Sequence, residues 1–269
     1  MIWQEIHGNW VLIPPRPIAM IHFLGGAFVA TVPHITYRCL LEFLAEQGYA
    51  IVATPFVNTL DHTAIAKQTL RISNLALEYL QDEVFKKRYL PIYGVGHSMG
   101  CKLHLLIGSL LPQERAGNIL ISFNNYPARR SIPLVDQMTQ ITTQLSPFTP
   151  QFAAAFNVEF TPSPEETNHL IEQQYQVKRN LLIKFKNDDI DQTRSLTAAL
   201  EQRFPTMTTV QILPGNHLTP LGQDFKWQAG TEFSPWDAIG QFLKQELYRD
   251  FNSLKRTVLM WLNPLATTR

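Results

Sequence analysis

The sequence predicts a doubly wound α/β domain with a mostly parallel sheet, and three observations carry that expectation. Apolar runs of strand length recur at residues 18–24, 50–54, 90–95, 118–123, 181–185 and 209–213. Their hydrophobicity is continuous rather than alternating, which suits strands covered on both faces. Helix-like segments at 35–47, 64–84, 101–111 and 191–203 lie between them, and strands alternating with helices wind into a parallel sheet.

The chain opens on a short strand at 10–13, which ends at Pro14-Pro15 and reads as an antiparallel edge. Residues 18–24 form the first buried strand and run into the loop Leu24-Gly25-Gly26-Ala27-Phe28. The strand at 90–95 leads directly into Gly96-His97-Ser98-Met99-Gly100 and then into a helix at 101–111. After the strand at 118–123 the alternation stops. About fifty residues rich in proline and glutamine, 127–178, intervene before the next strand and read as a cap or lid inserted over the sheet edge. Within them Ser163-Pro164-Glu165-Glu166 is a capping box that opens a helix through Tyr175. The remaining strands, at 181–185 and 209–213, return the chain to the body. A last helix starts at Pro235, with Ser234 before it and Asp237 three residues after the serine. Trp236, Ile239, Leu243 and Leu247 share one of its faces. The organisation is therefore one domain, with core segments 1–126 and 179–269 around the insertion 127–178.

A chain of 269 residues that is 45% hydrophobic can bury a sizeable core. Its 23 basic and 22 acidic residues leave a net charge of +1. That balance argues against a nucleic-acid footprint and against a basic membrane-surface patch. Cys39 and Cys101 lack disulfide or zinc spacing and read as small buried residues in a reducing compartment. The N-terminus carries no signal-peptide pattern. The longest apolar-leaning run, 17–33, contains His22 and two glycines and is too short to span a bilayer.

Gly-x-Ser-x-Gly between a strand and a helix is the context of a nucleophile elbow. The tight turn needs small residues at Gly96 and Gly100, and it pushes the Ser98 hydroxyl out at the sheet edge. A serine hydroxyl is a weak nucleophile at neutral pH and needs a base, which in turn needs an orienting partner. His217, in the turn Leu213-Pro214-Gly215-Asn216-His217-Leu218 after the final strand, is the candidate base. His7, His34 and His62 precede the motif, His104 sits on the helix after it and His169 in the cap. His97 neighbours the serine, where it shapes the pocket but cannot turn to act as its base. The acid is expected after the strand at 181–185, in Lys186-Asn187-Asp188-Asp189-Ile190-Asp191. Asp189 is favoured, four residues after Phe185, over Asp188 and Asp191; Asp191 can instead cap the following helix. For the oxyanion, the backbone N–H of Met99 is one donor and that of Gly26, or secondly Ala27, is the other. Phe148, Phe152, Phe156 and Phe160 recur every four residues in the insertion. This stripe serves either packing of the cap or an apolar acyl pocket, for which Phe28, His97, Phe148, Phe152 and Phe156 are the candidates.

These residues, taken together, resemble the α/β-hydrolase superfamily over nearly the whole chain. More narrowly, His22-Phe23-Leu24-Gly25-Gly26-Ala27-Phe28, Gly96-His97-Ser98-Met99-Gly100-Cys101-Lys102 and Ser122-Phe123-Asn124-Asn125-Tyr126 are similar to an uncharacterised domain-of-unknown-function family of cyanobacteria and plant chloroplasts. The resemblance implies a cytoplasmic protein, is compatible with peripheral membrane association, and supplies no substrate. Two positions depart from the superfamily pattern. Leu24 stands where many hydrolases have the histidine of a His-Gly pair, and Lys186 stands where a glycine commonly precedes the acid.

The expected activity is a serine hydrolase cleaving a small carboxylic ester, thioester or lipid-like substrate through an acyl-enzyme, with no metal or organic cofactor. Two alternatives stand beside it: acyl transfer to an alcohol by the same residues, and an inactive hydrolase-fold protein that binds or scaffolds.

Overall fold

The computed structural model describes residues 1–27, 29–86, 90–128, 159–222 and 235–263, the side chains of 235–247 excepted. Eight strands form one sheet: β1 (Gln4–Ile6), β2 (Asn9–Leu12), β3 (Ala19–Leu24), β4 (Tyr49–Ala53), β5 (Ile92–His97), β6 (Gly117–Ile121), β7 (Asn180–Asn187) and β8 (Thr208–Asn216). Their order is β1-β2-β4-β3-β5-β6-β7-β8. β1 and β2 are antiparallel, and every pairing from β4 to β8 is parallel. The predicted doubly wound, mostly parallel sheet is therefore what forms. The antiparallel strand read at 10–13 is second from the edge, not the edge itself. β1 lies outside it, joined through His7 and Gly8, which both take positive φ (48° and 73°) as a tight hairpin turn requires.

Helices cover both faces. α1 (Pro33–Thr36), α2 (Arg38–Glu46) and the long C-terminal α7 (Pro235–Leu262) lie on one side. Leu40, Leu41 and Leu44 of α2 and Leu254 and Val258 of α7 are fully buried there against Ile21, Phe23, Ile51 and Val95. On the other side are α3 (His62–Tyr79), α4 (Met99–Leu110), α5 (Pro164–Gln174) and α6 (Thr193–Arg203). Side chains alternate across a strand, so β5 sends Val95 into the first core and presents Gly94 and Gly96 to α4. A Cβ on Gly94 would sit 2.3 Å from Asn118 Oδ1 and 2.9 Å from His104 Nδ1, so α4 can approach only over glycine.

The helix expected at 35–47 is broken at Tyr37, whose backbone (φ −114°, ψ 17°) leaves helical geometry and separates α1 from α2. The break turns a fully buried tyrosine toward the loop after β3. α5 starts at the predicted capping box: Ser163 Oγ accepts from Glu166 N–H and Glu166 accepts from Ser163 N–H. Most of the predicted insertion, 129–158, lies outside the described residues, and with it Phe148, Phe152 and Phe156; Phe28 lies outside them too. Among the described residues no helix is long and apolar enough to cross a membrane.

Register brings the functional candidates to one edge. Leu24 pairs with Gly96 and His97 with Ile121, so β3, β5 and β6 end level with each other. β7 and β8 reach their shared end at Asn187 and Asn216. The loops carrying Gly26, Ser98, Asn124, Asp188 and His217 thus all leave the carboxyl ends of parallel strands, where open α/β sheets bind ligands.

Candidate active site

Ser98 joins β5 to α4 with φ 54° and ψ −117°. A non-glycine residue held at positive φ is strained, and such strain collects at functional sites. Two glycines make the turn feasible. A Cβ on Gly100 would lie 2.0 Å from Leu24 O, and one on Gly96 would lie 2.7 Å from the backbone of Gly100 and Cys101. Both contacts are with backbone, which cannot move aside. Met99 is the first residue of α4 and lines the cleft with Ser98, so its N–H has no intrahelical partner and lies at the positive end of the helix dipole.

Ser98, Met99 and His217 line one cleft of about 770 Å³, part of it open to solvent. His217 is placed by Asn216, whose Oδ1 accepts from Leu218 N–H at 2.9 Å, and by Thr219, whose Oγ1 accepts from Asn216 N–H at 2.9 Å. His217 Nδ1 donates to Asp188 Oδ2 at 2.9 Å. The Asp188 side chain is fully buried. Burial alone would raise its pKa, but the hydrogen bond and charge of His217 and the Ile190 N–H outweigh burial and hold the carboxyl below its ordinary range. An ionised acceptor fixes the proton of His217 on Nδ1 and leaves Nε2 as the basic nitrogen.

This corrects the expectation for Asp189. Asp189 is exposed, while Asp188 carries the bond to His217. β7 runs to Asn187, two residues past the apolar run, with a register irregularity between Phe185 and Asn187. The acid therefore follows the strand immediately instead of four residues after Phe185. Asp191 lies two residues before α6, next to its N-cap Gln192: its carboxylate accepts from Thr193 N–H at 2.9 Å and Thr193 Oγ1 at 2.7 Å and pairs with Lys184 at 3.3 Å.

Gly26 is also corrected as an oxyanion donor. Its N–H donates to Tyr37 Oη at 2.7 Å. Tyr37 O–H in turn donates to His97 Nδ1 at 2.7 Å, and His97 Nε2–H donates to His217 O at 2.9 Å. The donor directions agree at every link. Burial lowers the His97 pKa to about 3 and raises that of Tyr37, so both groups stay neutral along this chain. The chain ties the Gly-Gly loop to the His217 loop, and Tyr37 supplies the brace that Leu24 cannot. Ala27, which lines the cleft, makes no backbone hydrogen bond through its N–H among the described residues.

Two further residues stand in the cleft that sequence reasoning passed over. Asn124 Nδ2 donates to Ser98 Oγ at 3.0 Å. Lys102, one turn along α4 from Ser98, is only 2% exposed. Its Nζ donates to Pro162 O at 3.3 Å and lies 5.6 Å from the centre of the Phe160 ring. Burial lowers the Lys102 pKa to about 8 against the opposing pull of Glu159 and Glu165. His104 and His22 lie away from the cleft in a buried polar network, where His104 bonds Val95 O and His22 bridges Arg115 and Thr54.

Comparison with solved structures identifies the fold as that of the α/β hydrolases. TT1662 from Thermus thermophilus is 18% identical, with 91% of this chain and 98% of that chain covered at a TM-score of 0.51. The fluorophosphonate-binding serine hydrolase FphF of Staphylococcus aureus is 13% identical over 89% and 91%, at 0.53. Carboxyl esterase 2 of the mycorrhizal fungus Tuber melanosporum is 15% identical over 90% and 82%, also at 0.53. The chain belongs to the family described as protein of unknown function DUF1350, whose model matches residues 2–264. No curated protein matches it.

Proposed function

We propose that this protein is a serine hydrolase of carboxylic esters or thioesters. The observation that carries the reading is Ser98, held at positive φ between β5 and α4, in one cleft with a histidine whose Nδ1 is fixed by a buried carboxylate. Solved structures of the same fold include esterases and a fluorophosphonate-binding serine hydrolase, which supports this class of chemistry.

In this mechanism Ser98 Oγ attacks the substrate carbonyl and its proton passes to His217 Nε2. Asp188 holds the ring in the required tautomer and stabilises the imidazolium. The oxyanion accepts from the N–H groups of Met99 and Ala27. Collapse of the tetrahedral intermediate breaks the bond to the leaving alcohol or thiol, which takes the proton from His217. Water, deprotonated by His217, then attacks the acyl-enzyme and releases the acid. Asn124 occupies a lone pair of Ser98 Oγ in the resting state and leaves the hydroxyl proton free for the base.

That same hydrogen bond favours the second reading, a hydrolase-fold binder in which the serine is held passive. The test is hydrolysis of acetyl, butanoyl and octanoyl esters and thioesters by the protein and its Ser98→Ala variant. The expected result is turnover that falls by at least about 10³-fold in the variant, with an unchanged circular dichroism spectrum. Equal turnover by both proteins, or none by either, contradicts the proposal.

A further inference from the structure

The cleft beside Ser98 contains a buried cation, Lys102, that pairs with no carboxylate among the described residues. A buried ammonium is normally paired, because taking it out of water is costly. Lys102 Nζ has three N–H donors, yet among the described residues its hydrogen-bond partner is a single neutral carbonyl, Pro162 O. Among the described residues no carboxylate comes within ion-pair distance of it. Glu159, one of the acids near enough to influence it, instead has Oε1 turned to the N–H groups of Ala128 and Phe160.

The groups around Lys102 share this condition. His62 is 3% exposed, and its ring stacks on Phe160 with centroids 4.3 Å apart. Among the described residues neither His62 Nδ1 nor Nε2 has a hydrogen-bond partner, and the Oδ1 atoms of Asn58 and Asn125 are likewise unpaired. Burial and the charge of Lys102 bring the His62 pKa to about 3, so the ring is neutral and offers one N–H donor and one acceptor. His62, Asn58, Asn125, Lys102 and Phe160 line the same cleft as Ser98. Buried polar atoms are nearly always satisfied, so several unsatisfied ones on one wall of a cleft mark groups waiting for a ligand. The N-terminus of α4 adds positive potential at this wall.

We infer that the wall formed by Lys102, His62, Asn58 and Asn125 binds an anionic oxygen group of the substrate, a carboxylate or phosphate lying within a few bonds of the scissile carbonyl. Lys102 supplies the charge and further donors, and the His62 N–H adds another. Asn58 and Asn125 accept from hydroxyl or amide protons next to the anion. The inference rests on the serine-hydrolase reading and specifies its preferred substrates: acidic esters or thioesters over purely aliphatic ones.

The test uses two matched pairs of esters, because the anion can sit on either side of the scissile bond. The first pair is 4-methylumbelliferyl hexanoate and the 4-methylumbelliferyl monoester of hexanedioic acid. The second is phenyl butanoate and the butanoyl ester of 4-hydroxybenzoate. In one pair kcat/KM for the anionic member is expected to exceed that for the neutral member by at least tenfold. Lys102→Met should bring that ratio close to one, chiefly through KM, and Lys102→Arg should restore part of it. Circular dichroism on each variant separates loss of the charge from loss of the fold. Neutral and anionic esters cleaved alike in both pairs, or a preference that survives Lys102→Met, overturns the inference alone. Absence of Ser98-dependent cleavage of all four esters overturns the hydrolase reading on which it rests.

Discussion

Asp188→Asn should lower kcat/KM by about 10³- to 10⁴-fold, whereas Asp189→Asn should leave it within about twofold. The two aspartates are adjacent in sequence and opposite in environment. Asp188 is buried and accepts from His217 Nδ1 at 2.9 Å, while Asp189 is exposed. Asparagine at 188 keeps the shape but can present its N–H₂ to His217, which favours the tautomer with the proton on Nε2. The base is then protonated where Ser98 needs it free. Ester hydrolysis by the two purified variants, measured at one pH with circular dichroism as a control, decides between the residues.

The second large effect is on stability in acid. Burial holds the pKa values of His62, His97 and His104 near 3 and that of His22 well below the ordinary range. In the unfolded chain these histidines titrate near 6.5. Between about pH 6.5 and 3 the unfolded state therefore binds more protons, and stability falls as pH falls through that window. Each histidine contributes up to about 1.4 kcal/mol per pH unit. Four acting together outrun the roughly 5–15 kcal/mol stability of an ordinary domain within a few pH units. Asp188, held low by His217, acts in the same direction only at more acid pH. The expected result is cooperative unfolding with a midpoint above pH 4, followed by tryptophan fluorescence. A native signal that persists unchanged at pH 3.5 contradicts the burial of these rings as neutral species.

The parts of the site legible in sequence are those fixed by short-range geometry. Gly96-x-Ser98-x-Gly100 between an apolar strand and a helix specifies a turn that excludes Cβ atoms at both glycines, and both are hemmed in by backbone. His217 follows the last strand of an alternating pattern. The parallel character of the sheet follows from the same alternation, whereas its strand order does not. What the sequence hides depends on where strands end and on contacts between distant segments. β7 continues through the polar, exposed Lys186 and Asn187, so an apolar run marks its end two residues too early and moves the acid to the wrong aspartate. Tyr37 looks like another core residue of an amphipathic helix, but its hydroxyl meets His97, sixty residues away in sequence. Asn124 marks a place where no acid stands, and only the fold shows its amide on Ser98 Oγ. Lys102 reads as a polar residue on an apolar helix, and only packing shows that it is buried in the cleft.

Covalent labelling of Ser98 tests most directly whether its hydroxyl is an activated nucleophile. The purified protein is treated with an alkyl fluorophosphonate, its intact mass is measured, and the modified peptide is sequenced by mass spectrometry. One phosphonyl group per chain is expected, on Ser98, with loss of labelling in both Ser98→Ala and His217→Gln. A folded protein that stays unlabelled, or that carries the group on another residue, contradicts an activated Ser98.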